Sequence, residues 1–317
     1  MNKTESVKGR LKKIAVAENK PFNYILMHYF IERLLYRLSV SAYAGNFILK
    51  GGLLLYTVLD DKARTTRDID LLAEKIRNTP DELLGIFTEI AGLPGDDAVS
   101  YDTKTITVKR IKEDADYEGI RVKLTGYLDR SRQVLQFDIG FGDVVIPKPV
   151  MMTYPSLLDM EAPRLRAYTL ESVIAEKFQA GIYLAEANSR MKDFYDLYAL
   201  CAARSFDGAV LHEAVKRTFE RRKTILPPIP TIFTDTFPAL PEKQIQWRAF
   251  LNRTGIEATD DFTTVMTSIR KFLLPLYNAL FNKTGFTGHW DNEAGKWELP
   301  GNRLRAIAQI LLLCYDN

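Results

Sequence analysis

Two cysteines and three histidines are all that the 317 residues contain of those types. Cys201 and Cys314 lie far apart in the apolar contexts YALCAAR and LLLCYDN. They offer neither a disulfide framework nor a zinc pattern, and read as buried free thiols of a reducing compartment. His28, His212 and His289 are scattered, which argues against a catalytic triad or a histidine-based metal site. No apolar run approaches the roughly 20 residues of a membrane helix. The opening MNKTESVKGRLKK lacks the apolar core of a signal peptide. A cytoplasmic protein with no membrane contact is expected. An excess of one charge is missing too: 43 Lys and Arg stand against 40 Asp and Glu, a formal net charge of +3. Local patches, rather than the total, must then choose the partners. Internal repeats and low-complexity tracts are absent.

What is present is an ordinary globular balance, 46% hydrophobic and 26% charged, long enough for two domains and a sizeable core. Residues 4–43 read as helical, with Tyr24, Met27, Ile31, Leu34, Leu35 and Leu38 on one broad apolar stripe. FILKGG (47–52) reads as a strand entering a turn. LLLYTVL (53–59) then opens a helix, although such an apolar run also suits a strand. TRDIDLLA (66–73) alternates as a strand, and DELLGIFTEIAGL (81–93) is an amphipathic helix. KTITVKRI (104–111), GIRVKLTGYL (119–128) and QVLQFDIGFGD (133–143) alternate as three further strands, the first two paired antiparallel across DADYEG. Pro147, Pro149 and Pro155 begin a loop. From 169 onward the pattern is helical: Thr169 is placed to cap LESVIAEKFQAGIYLAE, and later segments include 190–205, 206–223 and 260–281, the last with a kink expected at Pro275. TILPPIPTIF (224–233) is a connection, and the chain is expected to end in a helix. The expected fold is α+β: a mixed sheet with flanking helices, then an all-helical C-terminal domain. The division falls at 1–165 and 166–317.

The stretch KGGLLLYTVLDDKARTTRDID (50–70) concentrates the chemistry. A glycine pair, Gly51 and Gly52, at a strand-to-helix turn lets backbone N–H groups approach an anion, and the helix N-terminus adds partial positive charge. The plain alternative is a tight turn. In a strand, Asp68 and Asp70 project from one face while Ile69 and Leu71 take the other. Two like charges so placed repel, and a divalent cation such as Mg²⁺ relieves the repulsion. A solvated pair at a strand edge is the alternative. Asp138, in Gln136-Phe137-Asp138-Ile139-Gly140, is another polar residue on an apolar strand. If that strand lies beside Asp68–Asp70, three carboxylates converge, enough to hold two Mg²⁺ for in-line displacement at phosphorus. Asp143 in GFGD is a second candidate for the third carboxylate. Asp138 is preferred because it lies within the apolar alternation.

Gly-Gly, a helix, Asp-x-Asp and a later apolar-Asp-apolar strand resemble the nucleotidyltransferase superfamily of the DNA polymerase β type. Lys50-Gly51-Gly52 followed by Arg64-x-Thr66-x-Asp68-Ile69-Asp70 resembles the AbiEii/AbiGii toxin nucleotidyltransferases, which include the MenT toxins. Glu176-Lys177 and Arg190-Met191-Lys192-Asp193-Phe194-Tyr195-Asp196-Leu197 look like that family's helical lysine and R-x-K-D-x-x-D-L motifs. The likeness spans about residues 45–200. One departure is that many superfamily members carry Gly-Ser where this chain has Gly51-Gly52, so backbone amides must replace a hydroxyl contact to phosphate.

The resemblance implies a catalytic set of Asp68, Asp70, Asp138, Lys177 and Asp193, with Mg²⁺ on the first three. It implies NTP contacts from Lys50, Gly51, Gly52, Arg64, Thr66, Lys177 and Asp196. Lys177, in an otherwise apolar helix, then reaches the triphosphate as a point charge rather than snorkelling at the helix edge. Asp193 orients it or meets the nucleotide. The alternative is an interhelical salt bridge, which still matters if it positions Lys177. Arg64 and Arg67 hold phosphates, or else stay solvated or pair with Asp60 or Asp61. Lys104, Lys109, Arg110, Lys112, Arg121, Lys123, Arg217, Arg221, Arg222 and Lys223 suit a polynucleotide, but Glu113, Asp114 and Asp116 intervene, so most read as solvated faces. Trp247, Trp290, Tyr277 and Phe281 read as packing of the helical domain.

The expectation is an Mg²⁺-dependent transfer of NMP from an NTP to an acceptor hydroxyl, with the helical domain closing over the site. The resemblance adds an RNA acceptor, plausibly the 3′ end of tRNA, a role as the toxin of a toxin–antitoxin or phage-defence system, and a cognate antitoxin, commonly a winged-helix DNA-binding protein. A small-molecule or protein acceptor, and a nucleotide-binding module without turnover, are the alternatives.

Overall fold

A computed structural model describes residues 3–59, 62–114, 117–256 and 260–299, the side chains of 112–118 excepted. The chain divides into two compact units. One comprises 1–58, 65–143 and 149–168, the other 59–64, 144–148 and 169–317.

The first unit opens with α1 (Lys3–Ala17) and α2 (Phe22–Val40). The single helical run expected over 4–43 is broken at Asn19, which takes a positive φ of 49° just before Pro21. The apolar stripe of α2 is buried, Ile31 and Leu35 completely. Strand β1 (Phe47–Lys50) passes directly into α3 (Gly51–Leu59), so LLLYTVL is a helix. Then follow β2 (Asp68–Ala73), α4 (Pro80–Gly92), β3 (Ser100–Asp114), β4 (Tyr117–Leu128), β5 (Ser131–Phe141), β6 (Val150–Thr153) and β7 (Arg164–Ala167). Helix α4 starts with Pro80 at its first turn and Asp81 and Glu82 beside it, where a missing N–H and negative charge both suit the terminus.

The seven strands form one mixed sheet in the order β3-β4-β5-β2-β1-β7-β6. β2 lies parallel to β5 and antiparallel to β1. β4 is antiparallel to both β3 and β5. Period-2 alternation gives the sheet an apolar face of Leu49, Ile69, Leu71, Phe137, Ile139 and Val122, all buried. Phe87 of α4 covers it, meeting Phe137 at 4.9 Å and Phe47 at 5.9 Å between ring centroids. The proline-broken stretch after 147, expected as loop, contributes β6 and β7. Each is only four residues long, too short for alternation to show, and β7 is held by parallel pairing to β1. The expected DADYEG turn falls in part outside the described residues.

The second unit contains α5 (Leu170–Leu184), α6 (Met191–Ala203), β8 (Phe206–Asp207), α7 (Gly208–Arg221), α8 (Thr236–Ala239), α9 (Pro241–Thr254), α10 (Phe262–Phe281), β9 (His289–Asp291) and β10 (Lys296–Glu298). Its helical character is as expected, with a small sheet β10-β9-β8 added. Thr169 stands at the cap position of α5 but makes no side-chain capping bond. Its hydroxyl donates to the Ile146 carbonyl instead, at 3.0 Å. Asp207 and Asp261 do cap α7 and α10, accepting from Val210 and Thr264 N–H. Helix α10 runs on through Pro275. Trp247, Trp290 and Tyr277 are buried in this unit as expected, whereas Phe281 is 40% exposed. The expected C-terminal helix and Cys314 lie outside the described residues; Cys201 is buried.

Candidate functional site

The pairing of β2 with β5 decides where the carboxylates fall. Asp68 stands opposite Gln136 and Asp70 opposite Asp138. Paired residues share a face, and neighbouring strands lie roughly 4.8 Å apart, so Asp70 and Asp138 are immediate neighbours on the face away from α4. The register continues on both sides. Lys50 of β1 opposes Asp70, and Arg121 of β4 opposes Asp138. One row across the sheet therefore reads Arg121, Asp138, Asp70, Lys50, with cations flanking two acids.

Arg121 grips Asp138 with both edges of its fork. Nε donates to Oδ1 at 2.7 Å and Nη2 to Oδ2 at 2.8 Å. This bond to Asp138 is the main reason its guanidinium holds its proton more firmly than an ordinary arginine, with Asp68 and Asp70 adding to the effect. Gln136 Nε2 donates to Asp68 Oδ1 at 3.1 Å. Lys50 turns to Asp143, Nζ to Oδ2 at 3.1 Å, and lies 5.3 Å from the centre of the Tyr168 ring. Of the two candidates for a third carboxylate, Asp138 is the one beside Asp70, and Asp143 is the buried partner of Lys50.

Gly51 takes φ +70°, and a Cβ there would overlap the carboxylate of Asp70. Glycine is needed at this position on both counts. The turn thus brings the start of α3 up against Asp70 with no side chain between, and Gly52 lies buried in the first turn of the helix. Thr66 is buried just before β2, whereas Arg67 is exposed.

The second unit carries its own charged group. Lys177 of α5 pairs with Asp193 and Asp196 of α6, both at 2.7 Å. Arg64 donates to both oxygens of Asp196, from Nε at 3.0 Å and from Nη2 at 3.2 Å. Arg190 reaches Asp193 at 4.0 Å. The segment that carries Arg64 is tied to α6 by the Tyr195 hydroxyl, which donates to the Lys62 carbonyl at 2.8 Å. Burial opposes ionisation of Lys177 and of Asp193. Their mutual attraction outweighs it, raising the lysine and lowering the aspartate from their ordinary values. Asp196 is thus a partner of Arg64 that its neighbours in sequence do not suggest; Asp60 and Asp61 lie outside the described residues.

Among the described residues, no group of three or more histidine, cysteine or acidic side chains is arranged as a ready ligand set, and Asp138 is turned onto Arg121. The site still fits a hard divalent cation. Three carboxylates offer oxygen donors between the flanking Arg121 and Lys50, with Asp68 exposed and Asp70 half-buried. The guanidinium of Arg121 already lies within the field of all three acids, as a cation would.

Sequence reasoning misses Arg121 and Gln136 as members of this cluster. The available signal is parity: Arg121 in GIRVKL and Gln136 in QFD alternate onto the polar side of their strands, but only the strand pairing sets them against Asp138 and Asp68.

A family model described as the nucleotidyl transferase AbiEii toxin of type IV toxin–antitoxin systems matches residues 33–268. The chain belongs to the AbiEii family. It is a nucleotidyltransferase of that toxin family, and an NTP is its substrate class. No curated protein matches the chain. Among solved structures, JHP933 from Helicobacter pylori is 14% identical with a TM-score of 0.45, over 79% of this chain and 90% of that one. An H. pylori protein described as a candidate nucleotidyltransferase is 16% identical with a TM-score of 0.44, over 83% and 97%. None of the described helices is long and apolar enough to cross a membrane.

Proposed function

We propose that this AbiEii protein transfers NMP from an NTP to a hydroxyl of RNA, at the 3′ end of tRNA, as the cytoplasmic toxin of a toxin–antitoxin pair active in phage defence. The observation that carries the reading is the juxtaposition of Asp68, Asp70 and Asp138 on one sheet face, against a glycine turn that opens a helix. In the reaction the acceptor oxygen forms a bond to the α-phosphorus while the bond to the leaving pyrophosphate breaks, and the hydroxyl proton passes to the carboxylate of Asp138. Asp68, Asp70 and Asp138 would hold two Mg²⁺. Bound there, the ions would sharpen the acceptor hydroxyl and neutralise the charge on the leaving pyrophosphate.

The protein's own groups do the rest. Gly51 and Gly52 let the first N–H groups of α3 approach the β- and γ-phosphates. Lys177 supplies a point charge to the triphosphate, and Asp193 and Asp196 orient it. Asp196 also holds Arg64, which with Thr66 and Lys50 completes the nucleotide contacts. To hold metal, Asp138 would have to leave Arg121, and the arginine would then be available to an incoming phosphate. A cognate antitoxin is the expected protein partner.

The test is incubation of the protein with each NTP radiolabelled at the α-phosphate, with Mg²⁺ and total bacterial RNA, beside Asp70→Ala. A labelled tRNA-sized band that vanishes in the variant supports the reading. Label that appears only in protein or in small molecules rejects the RNA acceptor. Full activity in Asp70→Ala rejects the metal site.

A further inference from the structure

The sheet face that bears the aspartates does not end with them. Toward the β3 edge, Arg121 opposes Lys109 of β3, and Gln136 opposes Lys123 of β4, which in turn opposes Thr107. Farther along the same face Tyr127 opposes Arg132. Lys109, Lys123 and Arg132 are exposed, and none of the three is ion-paired among the described residues, in contrast to the buried cations of the molecule. Val134, between Arg132 and Gln136 on that face, is 56% exposed. Lys109 stands two strands from Asp138, about 10 Å across the sheet, and successive residues on one face of a strand lie about 7 Å apart.

The two sides of the aspartate pair therefore differ. On the β1 side stand the glycine turn, the start of α3 and a lysine already occupied by Asp143. On the β4 and β3 side stands an open line of cations beside Tyr127 and Val134. A compact triphosphate suits a turn with converging N–H groups. An extended polyanion suits a line of spaced cations with surfaces on which a base can rest.

We propose that the Arg121, Lys123, Lys109 and Arg132 face is the track on which a single-stranded polynucleotide acceptor lies, its reactive end at Asp70 and Asp138. The proposal rests on the transfer reading above and assigns the donor to the β1 side and the acceptor to the β4–β3 side. It also gives Lys109 and Lys123 a role beyond that of a solvated face.

The experiment titrates a fluorescein-labelled single-stranded RNA oligonucleotide, followed by anisotropy, into the full chain and into the double variant Lys109→Glu/Lys123→Glu. NTP binding and thermal unfolding are measured on both proteins. Neither lysine belongs to the metal or nucleotide machinery. The expected result is RNA affinity weakened about tenfold or more, with a shallower dependence of log Kd on log salt, while NTP affinity and the unfolding midpoint stay as in the wild type. Unchanged RNA affinity in the double variant overturns the track but leaves the transfer reading standing, provided the wild type binds and labels RNA. A wild type that neither binds nor labels RNA overturns both. A single-stranded DNA oligonucleotide of the same sequence forms a second arm. Equal weakening by the two lysines in both arms supports backbone contact, the mode assigned here. If only the Arg132→Glu and Arg121→Gln variants lose affinity, the track does not reach β3 and the extended surface is wrong.

Discussion

The two charged groups of this molecule are built on opposite plans. In the helical unit, Arg64 and Lys177 face Asp193 and Asp196. Two cations match two anions, all at most 12% exposed and each closed on its partners. On the sheet, Asp68, Asp70 and Asp138, with Asp143 behind them, stand between Arg121 and Lys50, so that acids outnumber cations, and Asp68 is open to solvent. A balanced buried network holds its members in place and depends on every one of them, because removal of one partner leaves a buried charge uncompensated. An acid-rich cluster at a surface gains little from its own members and much from a cation that arrives. The first plan suits positioning, the second binding.

The sharpest way to break this contrast is to remove one aspartate from each group. Asp196→Ala takes a buried partner from both Arg64 and Lys177, leaving Lys177 on Asp193 alone, and should cost about 3–5 kcal/mol of folding stability. Asp70→Ala removes one acid from a partly exposed cluster in which repulsion between neighbours offsets attraction to Lys50 and Arg121, and should change stability by less than about 1 kcal/mol while it abolishes transfer. Urea unfolding of both variants reads the difference. If Asp70→Ala unfolds as readily as Asp196→Ala, the sheet cluster is a structural network after all.

Acid provides a second separation. His28 is buried in α2 between the rings of Tyr24 and Tyr56. Burial, with Lys20 and Arg67 nearby, lowers its pKa to about 4. A histidine depressed in the folded state takes up its proton more readily when unfolded. Its contribution is therefore complete above about pH 6.5 and lost as pH falls toward 4, about 3 kcal/mol in all. Asp193 is also depressed, but as a carboxylate. Its contribution is lost only as pH falls below its ordinary value of 3.8. Stability measured from pH 7.5 to pH 3 should show the histidine step first, and His28→Leu should remove that step while leaving the lower one. A single loss confined below pH 4 in the wild type would contradict the assignment.

The smallest effect concerns Arg121. Its pair with Asp138 is partly exposed, 37% on the arginine side, so its net strength is that of a surface pair. On the proposed metal site Arg121 would compete with the ion for Asp138, so Arg121→Gln should tighten Mn²⁺ binding about two- to fivefold. An electron paramagnetic resonance titration of Mn²⁺ into the full chain reads this directly, without turnover. Weaker binding in the variant would make Arg121 a support for Asp138 rather than its competitor.

Local chemistry is legible in the sequence, and long-range pairing is not. The polar parity of Asp68, Asp70 and Asp138 is written into period-2 alternation, and the glycine pair marks its own turn. Nothing local says that β5 inserts beside β2, because strand choice in a mixed sheet is made by elements some 68 residues apart, the separation of Gln136 and Asp68. Arg64 and Asp196 lie 132 residues apart, so the sequence offers Arg64 only its neighbours as partners. The four-residue strands β6 and β7 are hidden for another reason: they owe their extended form to an existing sheet edge rather than to their own pattern. The R-x-K-D-x-x-D-L motif is visible as a string, but its ion pairs are not.

The long hairpin of β3 and β4 gains a further meaning from the arginine it carries. Fifteen and twelve residues are far more than a strand needs to span this sheet. A slip of β4 by a single residue would turn Arg121 inward and bring Val122 to the face beside Asp138. Val122 now sits wholly in the core, so misalignment would bury a guanidinium and expose an aliphatic chain along the whole strand. The hairpin therefore acts as a ruler. Its length penalises every wrong alignment many times over, and the identity of the side chain facing Asp138 is guarded by hydrophobic residues on the opposite face of the sheet.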